Sequence, residues 1–178
     1  MTPGEDPQST PEPEPQEENA NGLAAFETLG EFLEEDGWRP RRMEGKHAYS
    51  MGYTGKNGDF RCYAVVRVDL EEFLFYVVAP VRVPDNVRAA VVEFITRANY
   101  GMRIGNYELD YSDGEVRYKS SINFEDEELT VEAIRNAVYP AVQTSDRYLP
   151  GLLRVSFGGA TPLEAIEEIE GSSDGKGD

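Results

Sequence analysis

One cysteine, one histidine and one tryptophan occur in 178 residues, and each scarcity excludes something. Cys62 alone cannot form an internal disulfide, and with His47 as the single histidine it cannot complete a four-ligand zinc site. Flanked by Arg61 and Tyr63 in a strand-like run, Cys62 reads as a core or half-buried residue; the neighbouring arginine is the one feature that favours a reactive thiolate. No apolar run approaches the roughly 20 residues of a membrane span. The first residues, Met-Thr-Pro-Gly-Glu-Asp, are acidic and polar where a secretory signal is basic and then apolar, so a cytoplasmic protein is expected. Catalytic signatures are missing as well. There is no Gly-x-Ser-x-Gly elbow and no phosphate-binding loop, and Gly55-Lys-Asn-Gly58 lacks the loop length and following helix of a nucleotide site. His47, between Lys46 and Ala48, reads as an exposed or satisfied strand histidine, not a general base. The expectation is a non-enzyme with no catalytic, cofactor-binding or metal-binding residues.

Positive charge is also scarce. Seventeen Lys and Arg face 34 Asp and Glu, for a net charge of −17. Residues 1–21 hold six acids and no base, and residues 22–170 still carry a balance of −10. Direct nucleic-acid binding needs cations to displace condensed counterions and is disfavoured. A basic partner protein is attracted instead.

What is present is the pattern of one folded domain. Residues 1–21, rich in Pro, Glu and Gln, have little to bury and read as a disordered acidic arm; 171–178 read as a disordered tail. Between them, 22–170 form one unit. A helix is expected over Leu23–Glu35, with Leu23, Phe26, Leu29 and Leu33 on one face and Asp36-Gly37 ending it. Three strands follow, about Arg42–Tyr53, Phe60–Val68 and Phe73–Ala79, joined by turns at 55–58 and 69–72. Turns that short make the strands antiparallel neighbours and exclude a doubly wound fold. A second helix spans Asp85–Tyr100, with Gly101 suited to a left-handed cap. A hairpin of Ile104–Tyr111 and Glu115–Phe124 reverses at Asp113-Gly114. A third helix starts at the N-cap Thr130, stapled by Leu129 and Ile134, and Pro140 should bend or break it. Residues Tyr148–Phe157 are helical or irregular, and Thr161-Pro-Leu-Glu164 opens a last short helix with a capping box. The order α-β-β-β-α-β-β-α describes an α+β fold, an antiparallel sheet with helices packed on one face.

Charged clusters have bland explanations. The run Glu125–Glu128 lacks calcium-loop spacing and reads as a solvated approach to a helix N-terminus. Glu108 and Asp110 with Arg103, Arg117 and Lys119 read as cross-strand ion pairing. The aromatics are more informative. Helices can cover one sheet face, leaving tyrosines near the surface of the other, where they suit an interface. Trp38, Tyr53, Tyr63 and Tyr76 are the expected partner-binding residues.

From Arg97 onward longer motifs occur in order. These are Arg97-Ala-Asn-Tyr-Gly-Met-Arg-Ile-Gly-Asn-Tyr-Glu-Leu-Asp110, Asp113-Gly-Glu-Val-Arg-Tyr-Lys119, Asp146-Arg-Tyr-Leu-Pro-Gly151, and Gly158-Gly-x-x-Pro162-x-Glu-Ala-Ile166. Trp38, the Phe60–Val66 strand and Val83-Pro84 also fit. Over about 38–170 the chain resembles the bacterial YbjN-like family, labelled sensory transduction regulators. The resemblance implies a fold similar to type III secretion chaperones, usually dimeric, which bind an extended client segment without covalent chemistry. It implies no catalytic residues. The expectation is a homodimeric protein- or peptide-binding module, chaperone-like or adaptor-like; the alternative is a regulator of a basic or nucleic-acid-binding partner protein.

Overall fold

The first helix, α1 (Ala20–Glu35), begins three residues earlier than its apolar stripe suggests. The Asn19 side chain accepts the backbone N–H groups of Asn21 (2.9 Å) and Gly22 (3.1 Å), capping the helix. At the other end, Trp38 N–H reaches Leu33 O (2.9 Å) and Gly37 N–H reaches Glu34 O (3.1 Å), with Gly37 at φ +78°. This is a Schellman ending, and it folds Trp38 back over the helix. The computed structural model describes residues 19–171, so the expected acidic arm and tail lie largely outside the described residues.

Six strands follow in one antiparallel sheet: β1 (Arg41–Arg42), β2 (Ala48–Thr54), β3 (Asp59–Arg67), β4 (Glu72–Arg82), β5 (Asn106–Leu109) and β6 (Glu115–Asn123). Their spatial order is β1-β2-β3-β4-β6-β5. The single first strand expected over Arg42–Tyr53 is therefore a small hairpin. Met43 N–H bonds Ala48 O (2.9 Å) and Gly45 takes a positive φ, so His47 ends the turn instead of lying inside a strand. β4 runs three residues past Ala79. It carries Pro80 where the β4–β6 register shifts, a place where a missing N–H breaks no ladder bond.

Between β4 and β5 lies α2 (Arg88–Tyr100), entered through a short 3₁₀ turn at Asp85–Val87. Gly101 closes it with φ −95°, not in the left-handed region; the positive φ falls at Gly105 (+71°), where the chain swings into β5. After β6, α3 (Val131–Phe157) runs 27 residues without a break, and α4 (Pro162–Gly171) packs on α2 and α3. Thr130 Oγ1 accepts Ala133 N–H, and Leu129 and Ile134 are both buried. The Thr161–Glu164 capping box forms reciprocally.

Of the bend or break expected at Pro140, the break does not occur, and a second proline, Pro150, also sits inside α3. A helical proline orphans the carbonyl four residues back. For Pro150 that carbonyl belongs to Asp146, and Asn57 Nδ2 donates to it at 2.9 Å. The Asp146 carboxylate in turn accepts Lys56 N–H (3.0 Å) and Asn57 N–H (2.7 Å). The β2–β3 turn thus supplies the donor that Pro150 cannot.

The four helices of the described residues lie on one side of the sheet. Inward residues of the central strands, Phe60, Cys62, Ala64, Phe73, Phe75, Val77, Val116 and Tyr118, form the core with α1 and α3. At the base of the molecule Glu71, at φ +49°, joins three segments. Its carboxylate accepts Asn21 Nδ2 (2.7 Å) and Asp126 N–H (3.2 Å), and its carbonyl accepts Phe124 N–H. Those hydrogen bonds, the Asn21 amide first, hold its carboxyl below the ordinary glutamate range. A carboxyl whose pKa is lower folded than unfolded contributes stability above the unfolded value, about 4.3, and loses it as pH falls through the folded value. Glu71→Gln keeps the shape without the charge. Its stability deficit, measured by urea unfolding, should shrink as pH drops from about 5 to about 3; a constant deficit would contradict this role.

Candidate functional site

No element of the described residues covers the sheet face away from the helices. Alternation and register place one row of side chains straight across it: Arg41, Ser50, Tyr63, Tyr76, Lys119 and Asn106. The adjacent row is Gly52, Arg61, Val78, Arg117 and Glu108. Tyr63 and Tyr76 are direct cross-strand partners and both half-buried. Met43, Ala48, Val65, Leu74 and Val78 extend the pair into an apolar strip. Beside it opens a concave groove of about 1000 Å³, with Arg39, Arg41, Arg61 and Arg82 among its lining residues.

Tyr76 is held rigidly. The Arg117 guanidinium lies 4.5 Å from its ring centroid, a cation–π contact. Glu108 accepts hydrogen bonds from Arg117 Nε (2.9 Å) and from Lys119 Nζ, fixing both cations over the strand. Partial burial alone would raise the Glu108 carboxyl pKa; these two bonds reverse the effect and lower it. Cross-strand pairing thus accounts for Glu108. Asp110 does something else: just past β5 it accepts the Ser112 N–H and hydroxyl and shapes the turn.

Trp38 and Tyr53, the other two expected interface residues, sit on the helix-covered side. They stack on each other with ring centroids 5.9 Å apart, and Trp38 meets Phe75 edge-on at 6.2 Å. Tyr139 of α3 joins them and donates to Asp36 Oδ2 at 2.6 Å. The structure therefore brings the four residues together two by two, on opposite faces. Register explains the division: Tyr53 pairs with Phe60, an inward residue, whereas Tyr63 is one step out of that phase.

The groups considered for chemistry are placed elsewhere. Cys62 is fully buried, and burial pushes its thiol up to about 12, so the thiolate is suppressed at neutral pH. The His47 ring packs edge-on against Phe26 at 5.2 Å. Glu125–Glu128 are exposed beside the start of α3. Among the described residues no cluster of three or more His, Cys, Asp or Glu could hold a metal ion, and no helix is long and apolar enough to cross a membrane.

This architecture and chain match a known family. Residues 25–154 match the family model YbjN, described as "Putative bacterial sensory transduction regulator". The chain belongs to the YbjN family. Among solved structures, the ExsC–ExsE complex aligns with a TM-score of 0.55 at 12% identity, covering 74% of this chain and 95% of that one. YbjN from E. coli aligns with a TM-score of 0.52 at 12% identity, covering 75% and 89%. The HopA1–SchA chaperone–effector complex is a looser match, 0.46 at 15% identity over 70% and 92%. No curated protein sequence matches the chain. The chain thus has the type III secretion chaperone-like fold that its resemblance to this family implies.

The long motifs that carry the YbjN resemblance include residues with structural work. Asn99 in α2 accepts Tyr107 N–H (2.7 Å) and donates to Tyr107 O (3.1 Å). Its amide stands where a further strand would pair, closing the β5 edge. The Tyr107 hydroxyl donates to Thr144 O (3.1 Å) and its ring packs edge-on against Tyr118. Asp146 and Pro150 hold the β2–β3 turn, as described above. Sequence reasoning missed Asn99 and Asp146 as positioning residues; an Asn in the last turn of a helix followed by a short strand was the available signal for the first.

Proposed function

We propose that the protein is a non-catalytic, homodimeric protein- or peptide-binding module, chaperone-like or adaptor-like. Its client surface is the open sheet face centred on Tyr63 and Tyr76. The observation that carries this reading is the cross-strand tyrosine pair, pre-set by Arg117 and surrounded by an apolar strip that no element of the chain's described residues covers. Rigid tyrosines give large contact area at small entropic cost. Similarity in fold to a structure named as a complex, ExsC–ExsE, supports the same reading. A regulatory role on a basic or nucleic-acid-binding partner protein is supported by the −17 net charge and by exposed glutamates along α1 and α4, which would steer such a partner to the helical side.

The test compares the wild type with Tyr63→Ala/Tyr76→Ala and Trp38→Ala/Tyr53→Ala, after circular dichroism has shown that each is folded. Proteins retained from native cell lysate are identified at low and high salt, and mass in solution is measured by light scattering. The expected result is a dimer that retains a specific protein at both salts, with affinity falling by about tenfold or more per tyrosine removed from the open face. Retention unchanged by the Tyr63/Tyr76 substitutions would sink the assignment of the surface. A strict monomer would sink the dimer.

A further inference from the structure

Charge is distributed unevenly over this acidic molecule. Glu27, Glu31, Glu34 and Glu35 on α1, with Glu164 and Glu167 on α4, face solvent on the helical side. Arginines gather instead around the groove on the open face. Arg82 is neutralised by Glu115 at 2.7 Å. Arg39, Arg41 and Arg61 are exposed and form no ion pair with a carboxylate among the described residues. In a chain with twice as many acids as bases, three unpaired guanidiniums lining one groove need an explanation.

We infer that the groove is the docking site of the chain's own acidic segment, Glu5 to Glu18, whose carboxylates reach Arg39, Arg41 and Arg61. Three considerations support the choice of this occupant over a separate acidic partner. The first is complementarity. The segment holds Glu5, Asp6, Glu12, Glu14, Glu17 and Glu18 with no base, and Pro11, Pro13 and Pro15 alternate with two of the glutamates. Prolines suit an aromatic wall such as Tyr63, which lines the groove, while carboxylates suit the planar guanidinium fork.

The second is reach. The segment leads directly into Asn19, the cap of α1, at the base of the molecule beside Glu71. The groove residue Arg39 follows the far end of α1, whose 16 residues rise about 24 Å. Eighteen residues extend to at most about 60 Å, so several acids can pass around the sheet and into the groove.

The third is tethering. Exposed arginine–carboxylate pairs are individually weak. A free acidic peptide must also approach a protein of charge −17 against long-range repulsion. A covalently attached segment avoids that approach and acts at an effective concentration of about millimolar. The docking itself requires no client, and it can fail while the client surface stands.

The test uses the full chain with Thr10→Cys carrying a nitroxide spin label; Cys62 is fully buried and is not labelled. Amide NMR signals of Arg61, Tyr63 and Tyr76 should lose most of their intensity at low salt. They should regain it at about 1 M salt, where the screening length is about 3 Å. The Arg41→Gln/Arg61→Gln variant should keep full intensity at low salt. Broadening centred on α1 or α4, no broadening, or broadening unchanged by the double substitution would overturn the proposal. A mixture of spin-labelled protein with unlabelled, ¹⁵N-enriched protein separates the remaining case: broadening in that mixture would place the segment on a second copy and overturn docking within one chain.

Discussion

Alanine at position 22 should destabilise the protein by about 3 kcal/mol, whereas alanine at position 30 of the same helix should change stability by less than about 1 kcal/mol. Both glycines lie inside α1, where replacing glycine by alanine ordinarily gains about 1 kcal/mol of helix propensity. The difference is in what the new methyl meets. At Gly22 a Cβ would stand 2.3 Å from Val68 O and 2.7 Å from Val68 Cα, both backbone atoms of the β3–β4 connection. Backbone there cannot turn aside, so α1 must lift from the base of the sheet and loosen the contacts of Asn21 with Glu71 and Glu127. At Gly30 the nearest atom, 2.6 Å away, is the Tyr49 hydroxyl, the far end of a half-buried side chain that can swing. Urea unfolding of the two variants decides the matter. A Gly22→Ala protein as stable as the wild type would mean that α1 is not seated against the connection as described.

Asn99→Ala should destabilise by about 1–3 kcal/mol and make the protein prone to edge-to-edge association. Tyr107 is buried; its outward N–H bonds the Asn99 amide oxygen (2.7 Å), while its C=O accepts from both Asn99 Nδ2 (3.1 Å) and Asn106 Nδ2 (3.2 Å). Alanine leaves the Tyr107 N–H without a partner, which costs about 1–3 kcal/mol, while the carbonyl keeps Asn106 Nδ2. Truncation also uncovers the edge of β5, a template for another strand. Asn99→Asp separates the two bonds: its carboxylate still accepts from Tyr107 N–H but cannot donate to Tyr107 O, so at neutral pH it should fall between alanine and the wild type. Unfolding midpoints and sedimentation of the three proteins test this order. Alanine within about 0.5 kcal/mol of the wild type would show that water replaces the amide at no cost.

These two positions show where sequence reading succeeds and where it stops. Element type was legible wherever periodicity and local chemistry act within a few residues. The Thr130 cap with its Leu129–Ile134 staple, the Thr161–Glu164 box, the Asp36-Gly37 stop and the alternation of β6 all belong to that class. Features that depend on distant partners were not legible. Pro140 reads as a bend or break, but α3 continues through it and through Pro150, and the carbonyl freed by Pro150 is satisfied by Asn57, 89 residues from Asp146. The β1–β2 hairpin was hidden because Met43-Glu-Gly-Lys-His47 contains one turn residue among ordinary ones. Tyr63 and Tyr76 were assignable to a common face only once the β3–β4 register was known. Trp38 and Tyr53 were grouped with them by composition, while register put them under the helices.

The seat of the β2–β3 turn on α3 also sets an order of events in folding. The hairpin can pair locally, because Thr54 faces Asp59 across a short turn. Its tip, however, gains the Asp146 bonds only when a loop of about 90 residues has closed, an entropic cost that precedes any reward. The tip is thus among the last parts to be secured as the chain folds and among the first released as it unfolds. Changes at Asn57 or Asp146 would shorten the lifetime of the folded molecule far more than they delay its formation.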